Sequence, residues 1–269
     1  LNIDKKKHII FSLPENSNYL WVYDKMIQNV DYAIFPNLKY QYNFESPKNL
    51  FIGTPKFDFP LNRDEILKKY GLDSELDSGE VKSKYAIIFY PEYRIPIAEK
   101  KFPNFMKFYD NIYKWLRSMG YKIIVKDRKK GLSKITKFHK GDYYFDNVEI
   151  YPLTSIELLH ISSLAVFFSS SVIEEVVMMR VPFIEVVIDD IDRFSFLRDS
   201  SYSYIIEEIP NKRKEFLRHI KGIEKRRRKN TYNFDNVIKD NLFENEGVSD
   251  RLIDTMIKLQ NDKLSKLKN

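Results

Sequence analysis

A chain of 269 residues, 43% hydrophobic and 15% aromatic, has ample material for a packed core, which excludes disorder as the default. Zero cysteines remove disulfides, thiolate metal sites and cysteine nucleophiles together, and fit a reducing compartment. The formal charge of +7 favours an anionic partner: nucleotide, polyphosphate, nucleic acid or acidic membrane surface. No apolar run is long enough to cross a bilayer and no secretory pattern opens the chain, while Leu1 in place of methionine fits a fragment or processed product.

In chain order, residues 8–11 read as a short strand, and Leu20, Tyr23, Ile27 and Val30 recur at helical spacing. Strands follow at 32–35, closed by Pro36, and at 49–52, closed by Gly53-Thr-Pro55. Asn62 with Glu65 three residues on is a helix start, Tyr70-Gly71 a stop, and the acidic stretch 73–83 a loop. Residues 85–90 form an apolar strand ended by Pro91. Phe105, Phe108, Ile112, Trp115 and Met119 then line one helix face capped by Gly120. A strand at 121–125 leads into a basic loop at 126–130, and a strand at 148–151 and a helix at 155–161 follow. Beyond the crossover described next, 202–206 reads as an edge strand, 212–228 as a strongly basic helix, and 248–259 as an amphipathic one.

The most informative stretch is 158–185. A buried strand (164–168) runs into Ser169, Ser170 and Ser171, then a helix carrying Val172, Val176 and Met179 that Pro182 stops, then a second apolar strand (183–188). This is one β-α-β crossover, right-handed with parallel strands. Its turn delivers backbone N–H groups to the carboxyl edge of the sheet, a natural seat for phosphate. Strands alternating with helices argue an open α/β sheet, Rossmann-like and parallel with helices on both faces.

Five phrases in a fixed order carry a family resemblance: GTPKFD (53–58), YPEYR (90–94), IIVKDR (123–128), ELLHISSLAVFFSSSVIEE (157–175) and Val181-Pro182. Their order and spacing resemble the C-terminal half of CDP-glycerol glycerophosphotransferases. The phrase SSSVIEE with Pro182 seven residues on also resembles the phosphate-and-ribose loop of non-hydrolysing UDP-N-acetylglucosamine 2-epimerases. Both families have the GT-B architecture, two Rossmann-like domains holding a nucleotide donor, chiefly through the C-terminal one. The resemblance implies a remnant of an N-terminal domain or a linker at 1–51, a nucleotide-binding domain at 52–246, and a C-terminal helix packing back at 247–269. Phe167-Phe168 stands where the families place Thr-Asp, and Arg128 where the glycerophosphotransferases carry histidine. Only about fifty residues precede GTPKFD, so the N-terminal domain is expected to be truncated or shortened.

Seven residues follow as nucleotide- and phosphate-binding candidates. Ser169, Ser170 and Ser171 offer amide and hydroxyl donors, although Ser171 is equally an ordinary N-cap with Glu174 at capping-box spacing. The epimerase resemblance places Glu175 on the ribose hydroxyls, where a carboxylate can accept from both; a favourable charge at a helix start is the plainer reading. Arg94, Lys126 and Arg128 follow strand ends and face the same edge, where they would bridge phosphate oxygens or serve as solvated cations. The four histidines have no metal-site spacing. The function implied is transfer of a glycosyl or glycerophosphoryl group from a donor such as CDP-glycerol or a UDP-sugar to a glycan or polyol, in surface polysaccharide, teichoic-acid-like polymer or glycan synthesis. No cofactor is required, and the catalytic base is not identified. The rivals are a UDP-sugar 2-epimerase and a non-catalytic nucleotide- or glycan-binding module. A cytoplasmic location is expected; the basic run at 212–228 reads first as a solvated helix face, with contact to an anionic membrane surface as the alternative and nucleic acid behind both.

Overall fold

Alternating hydrophobic strands and amphipathic helices set the architecture of the computed structural model, which describes residues 9–12, 30–35, 49–72, 84–90, 94–127, 141–145, 154–188, 194–209, 213–242 and 247–267. The helix expected at 19–30 lies outside these residues except for Val30, which is not helical, and the loop at 73–83 and the strand at 148–151 lie outside them. Two compact units partition the chain: Leu1–Phe59 with Asp235–Asn269, and Pro60–Phe234. The second unit is shorter at both ends than the 52–246 expected from sequence.

In the first unit, β1 (Phe11–Ser12), β2 (Tyr32–Phe35) and β3 (Asn49–Phe51) form a parallel sheet in that order. Aromatic rings stack across neighbouring strands, Phe11 on Tyr32 at 5.7 Å and Phe35 on Phe51 at 5.3 Å. A 3₁₀ turn at Pro55–Phe57 follows, ending GTPKFD at Asp58. The Asp58 carboxylate accepts from the amides of Gly247 (3.1 Å) and Ser249 (2.6 Å), where the long C-terminal helix Val248–Lys266 begins. Two phrases 189 residues apart in sequence thus meet through one side chain.

The second unit opens with α1 (Arg63–Lys69), whose start is capped as expected: the Asn62 side chain accepts from the amides of Asp64 and Glu65. A six-stranded, wholly parallel sheet follows, made of β4 (Lys84–Tyr90), β5 (Tyr121–Asp127), β6 (Tyr143–Phe145), β7 (Ser162–Phe168), β8 (Phe183–Val186) and β9 (Ser203–Ile206). Its spatial order is β6-β5-β4-β7-β8-β9. The chain therefore winds outward from β4 to β6, returns to the other side of β4 at β7, and winds outward again. This is the doubly wound order, and it reverses direction between β4 and β7. The edge strand expected at 202–206 is β9.

Helices cover both faces because the strands bury side chains on both. Ala86, Ile88 and Tyr90, with Ile123, Val125, Val166 and Phe168, join a core under α3 (Phe105–Arg117) and the basic helix Arg213–Arg228. Alternate residues Tyr85, Ile87, Ile124 and Phe167 are equally buried. They point to the opposite face, on which α4 (Thr154–Ile161) packs against β4 and β7. Strand β5 runs two residues beyond the expected end at 125, so Lys126 and Asp127 belong to the sheet rather than to a loop. Two further helices went unread in the sequence: α2 (Ile95–Lys101), only seven residues long, and Phe234–Asn241.

Candidate functional site

The reversal between β4 and β7 opens a crevice at the carboxyl edge of a doubly wound sheet, because the connections after these two strands leave in opposite directions. Two sequence candidates sit at this place. Strand β4 ends at Tyr90, and Arg94 caps α2 four residues later. Strand β7 ends at Phe168, and the three serines turn the chain into α5 (Val172–Met178).

The structure brings the two together: Arg94 Nη1 donates to the carbonyl oxygen of Ser169 at 2.5 Å. Ser169 has φ +40°, in the left-handed region that residues with a Cβ rarely adopt. Two bonds to β8 and its continuation hold it there. Its amide donates to Val186 O (3.1 Å), and its hydroxyl oxygen accepts from the Ile188 amide (2.8 Å). Backbone strain maintained by surrounding bonds is a mark of functional sites.

The next two amides differ from that of Ser169. Those of Ser170 and Ser171 make no hydrogen bond with a described residue, while the Ser170 and Ser171 carbonyls accept from Ile173 and Glu174. All three serines and Arg94 are partly exposed. Successive amides without a partner, beside a guanidinium, can hold an anion. The capping box expected from Ser171 and Glu174 is absent, since the Ser171 side chain makes no capping bond. Ser171 adopts helical angles (φ −61°, ψ −11°), not the extended ones from which an N-cap hydroxyl reaches back. The hydroxyl that does approach an amide at the helix start is that of Ser170, with Val172 N at 3.4 Å.

The remaining candidates divide. Glu175 lies in the first turn of α5 and is half-buried, whereas neighbouring Glu174 is buried. Lys126 is 4% exposed, and its ammonium donates to the Asp127 carbonyl oxygen at 2.9 Å rather than extending from a loop. Arg128 lies outside the described residues. Sequence reading passed over Asp127, which ends β5 level with Tyr90 and is 1% exposed. An acidic residue between two cations gives no periodic signal of burial.

No protein-family model matches the sequence, and no curated protein matches it. Among solved structures, the wall teichoic acid polymerase TagF is similar at 19% identity and a TM-score of 0.57, over 95% of this chain and 65% of that one. A TagF structure soaked with CDPG gives 18% identity and a TM-score of 0.58, over 96% and 65%. A weaker likeness, at 14% identity and a TM-score of 0.47, is to a putative UDP-N-acetylglucosamine 2-epimerase from Listeria monocytogenes, over 77% and 57%. The likeness to TagF accords with the glycerophosphotransferase resemblance carried by the sequence. The chain spans about 65% of the TagF length, and at these identities the likeness bears on the fold: a Rossmann-like α/β domain of GT-B type.

Proposed function

We propose that this GT-B-type chain carries the donor-nucleotide site of a transferase, which moves a glycosyl or glycerophosphoryl group from a nucleotide-activated donor to a hydroxyl of a glycan or polyol. One observation carries the reading. At the reversal of the sheet, Arg94 is anchored to the bend whose next two amides, Ser170 and Ser171, are unbonded. A diphosphate seated there receives two amide donors and a guanidinium. Glu175, one turn into α5, supplies the acceptor for ribose hydroxyls.

In mechanism, negative charge gathers on the departing nucleotide as the bond to the transferred group lengthens. Donors already fixed in place stabilise that charge without reorganising, which lowers the barrier. The strained Ser169 serves this end because its bonds to β8 set the direction of the amides that follow. Lys126, buried with its ammonium on the Asp127 carbonyl, keeps two further N–H donors. The likeness to TagF favours CDP-glycerol as donor, with a UDP-sugar next, and surface polymer synthesis as the setting.

Calorimetric titration with CDP, UDP, ADP and GDP tests the site. A pyrimidine nucleotide is expected to bind best. Arg94→Ala should weaken it by about tenfold or more, the magnitude of a lost charge-assisted hydrogen bond. Equal affinity in the variant, or no binding of any of the four, ends the reading.

The basic helix, α6 (Arg213–Arg228), is proposed as the contact with an anionic membrane surface on the cytoplasmic side. Lys214, Arg218, Lys221, Lys225 and Arg228 are exposed and recur at spacings of four and three, which puts all five on one face. Among the described residues, no helix is long and apolar enough to cross a membrane.

A further inference from the structure

Asp127 is the last residue of β5, paired in register with Tyr90, the last residue of β4. The β4–β7 ladder, continued two residues past Ile88↔Val166, brings Phe168 level with the same Tyr90. Asp127, Tyr90 and Phe168 therefore form one row across the carboxyl edge, and the serine bend begins at the next residue, Ser169. Two strand spacings separate Asp127 from the bend, roughly 10 Å. That distance is within the span of a nucleoside diphosphate whose phosphates lie on the bend.

The carboxylate is half satisfied. Its Oδ2 accepts from the Tyr144 hydroxyl of β6 at 2.8 Å, while Oδ1 is buried and accepts no hydrogen bond. Buried carboxylate oxygens almost always have a donor, because leaving one without costs more than the bond returns. Among the described residues none donates to Oδ1, and the Lys126 ammonium donates to the Asp127 backbone carbonyl.

Resting on the donor-site reading above, we propose that Asp127 is a specificity-determining residue whose Oδ1 accepts a hydrogen bond from an O–H or N–H group of the bound nucleotide. Two groups have this chemistry: the exocyclic amine of cytosine, and the ribose 2′-hydroxyl where Glu175 takes the 3′-hydroxyl alone. An acceptor-only carboxylate held in place by Tyr144 discriminates against analogues lacking the donor, since its oxygen then stays buried and unbonded.

Titration of the whole chain and its Asp127→Asn variant with CDP, UDP and 2′-deoxy-CDP tests this. Asparagine keeps the shape and can still accept from Tyr144, but presents an N–H₂ where the ligand needs an acceptor. The expected result is at least about tenfold weaker CDP binding in the variant, with one preference abolished. Loss of the CDP-over-UDP preference assigns the amine; loss of the preference for CDP over its 2′-deoxy analogue assigns the ribose hydroxyl. If the unaltered chain binds CDP and the variant matches it in affinity and both preferences, this inference fails while the donor site stands. If the unaltered chain binds none of the three, the donor-site reading fails and takes the inference with it. A crystal structure of the unaltered chain with CDP decides the matter should the variant not fold. A ligand oxygen or nitrogen within hydrogen-bonding distance of Oδ1 supports the assignment, and a water in that place overturns it.

Discussion

Asp58 illustrates how a single carboxylate can act across most of the chain's length. The Ser249 amide, then the Ser249 hydroxyl, the Gly247 amide and the Arg251 charge hold its carboxyl below the ordinary range despite some desolvation. A depressed carboxyl stabilises the folded contact above its unfolded pKa, about 3.9, and the contribution is lost as pH falls through the lower folded value. Hydrogen exchange at Gly247 and Ser249, taken relative to the unfolded chain at the same pH, should therefore stay slow from neutrality to about pH 4 and quicken only in stronger acid. Asp58→Asn should quicken it at neutral pH and remove the acid step; an unchanged acid step would mean that another group controls this helix start. Residues whose role depends on a strand end were unevenly legible in the sequence. Arg94 was readable because Pro91 marks where β4 stops. Lys126 and Asp127 were not, because β5 continues through pairing of Lys126 with Phe145 on β6, a three-residue strand too short to carry a pattern.

Helix α6 combines two patterns on one element. Phe216, Ile220 and Ile223 recur at four and three residues and are buried, while the five exposed cations occupy the opposite face. Phe216 packs against Trp115 of α3 at 5.0 Å between ring centroids and against Tyr204 of β9 at 6.5 Å, so it joins helix, helix and edge strand. Phe216→Ala should cost about 3–5 kcal/mol of stability, read as a lower urea midpoint with an unchanged slope. A loss under about 1 kcal/mol would show that the helix contributes little to the core. The nearby cluster of Lys84, Glu224 and Tyr121 is built differently. Glu224 takes the Tyr121 hydroxyl at 2.8 Å and pairs with Lys84, whose ammonium lies 3.7 Å over the Tyr121 ring. Burial, then the Glu224 carboxylate, pushes the Tyr121 hydroxyl far above its ordinary range, so it remains a donor at every relevant pH. The periodicity of α6 was visible beforehand; its partners belong to elements 103 and 140 residues away.

At the scale of the whole chain, the +7 charge and the cationic face of α6 lead to one association experiment. Binding to vesicles containing anionic lipid should weaken as salt rises, because exposed charges are screened over about 8–10 Å. Replacing Lys221 and Lys225 by alanine should lower partitioning about 30-fold, at about 1 kcal/mol for each basic residue at the surface. Binding indifferent to salt and to these changes would leave α6 a solvated face. The sequence by itself determined the parallel α/β class, most strands and helices, and the serine bend. Hydrophobic period, Pro and Gly stops and capping residues are local signals that survive without neighbours. Only the tertiary structure decided the order β6-β5-β4-β7-β8-β9, the placing of the reversal at Arg94 and Ser169, and the depth at which Asp127 lies. Those depend on which strands pair, and pairing is a contest among long-range contacts that no window of sequence contains.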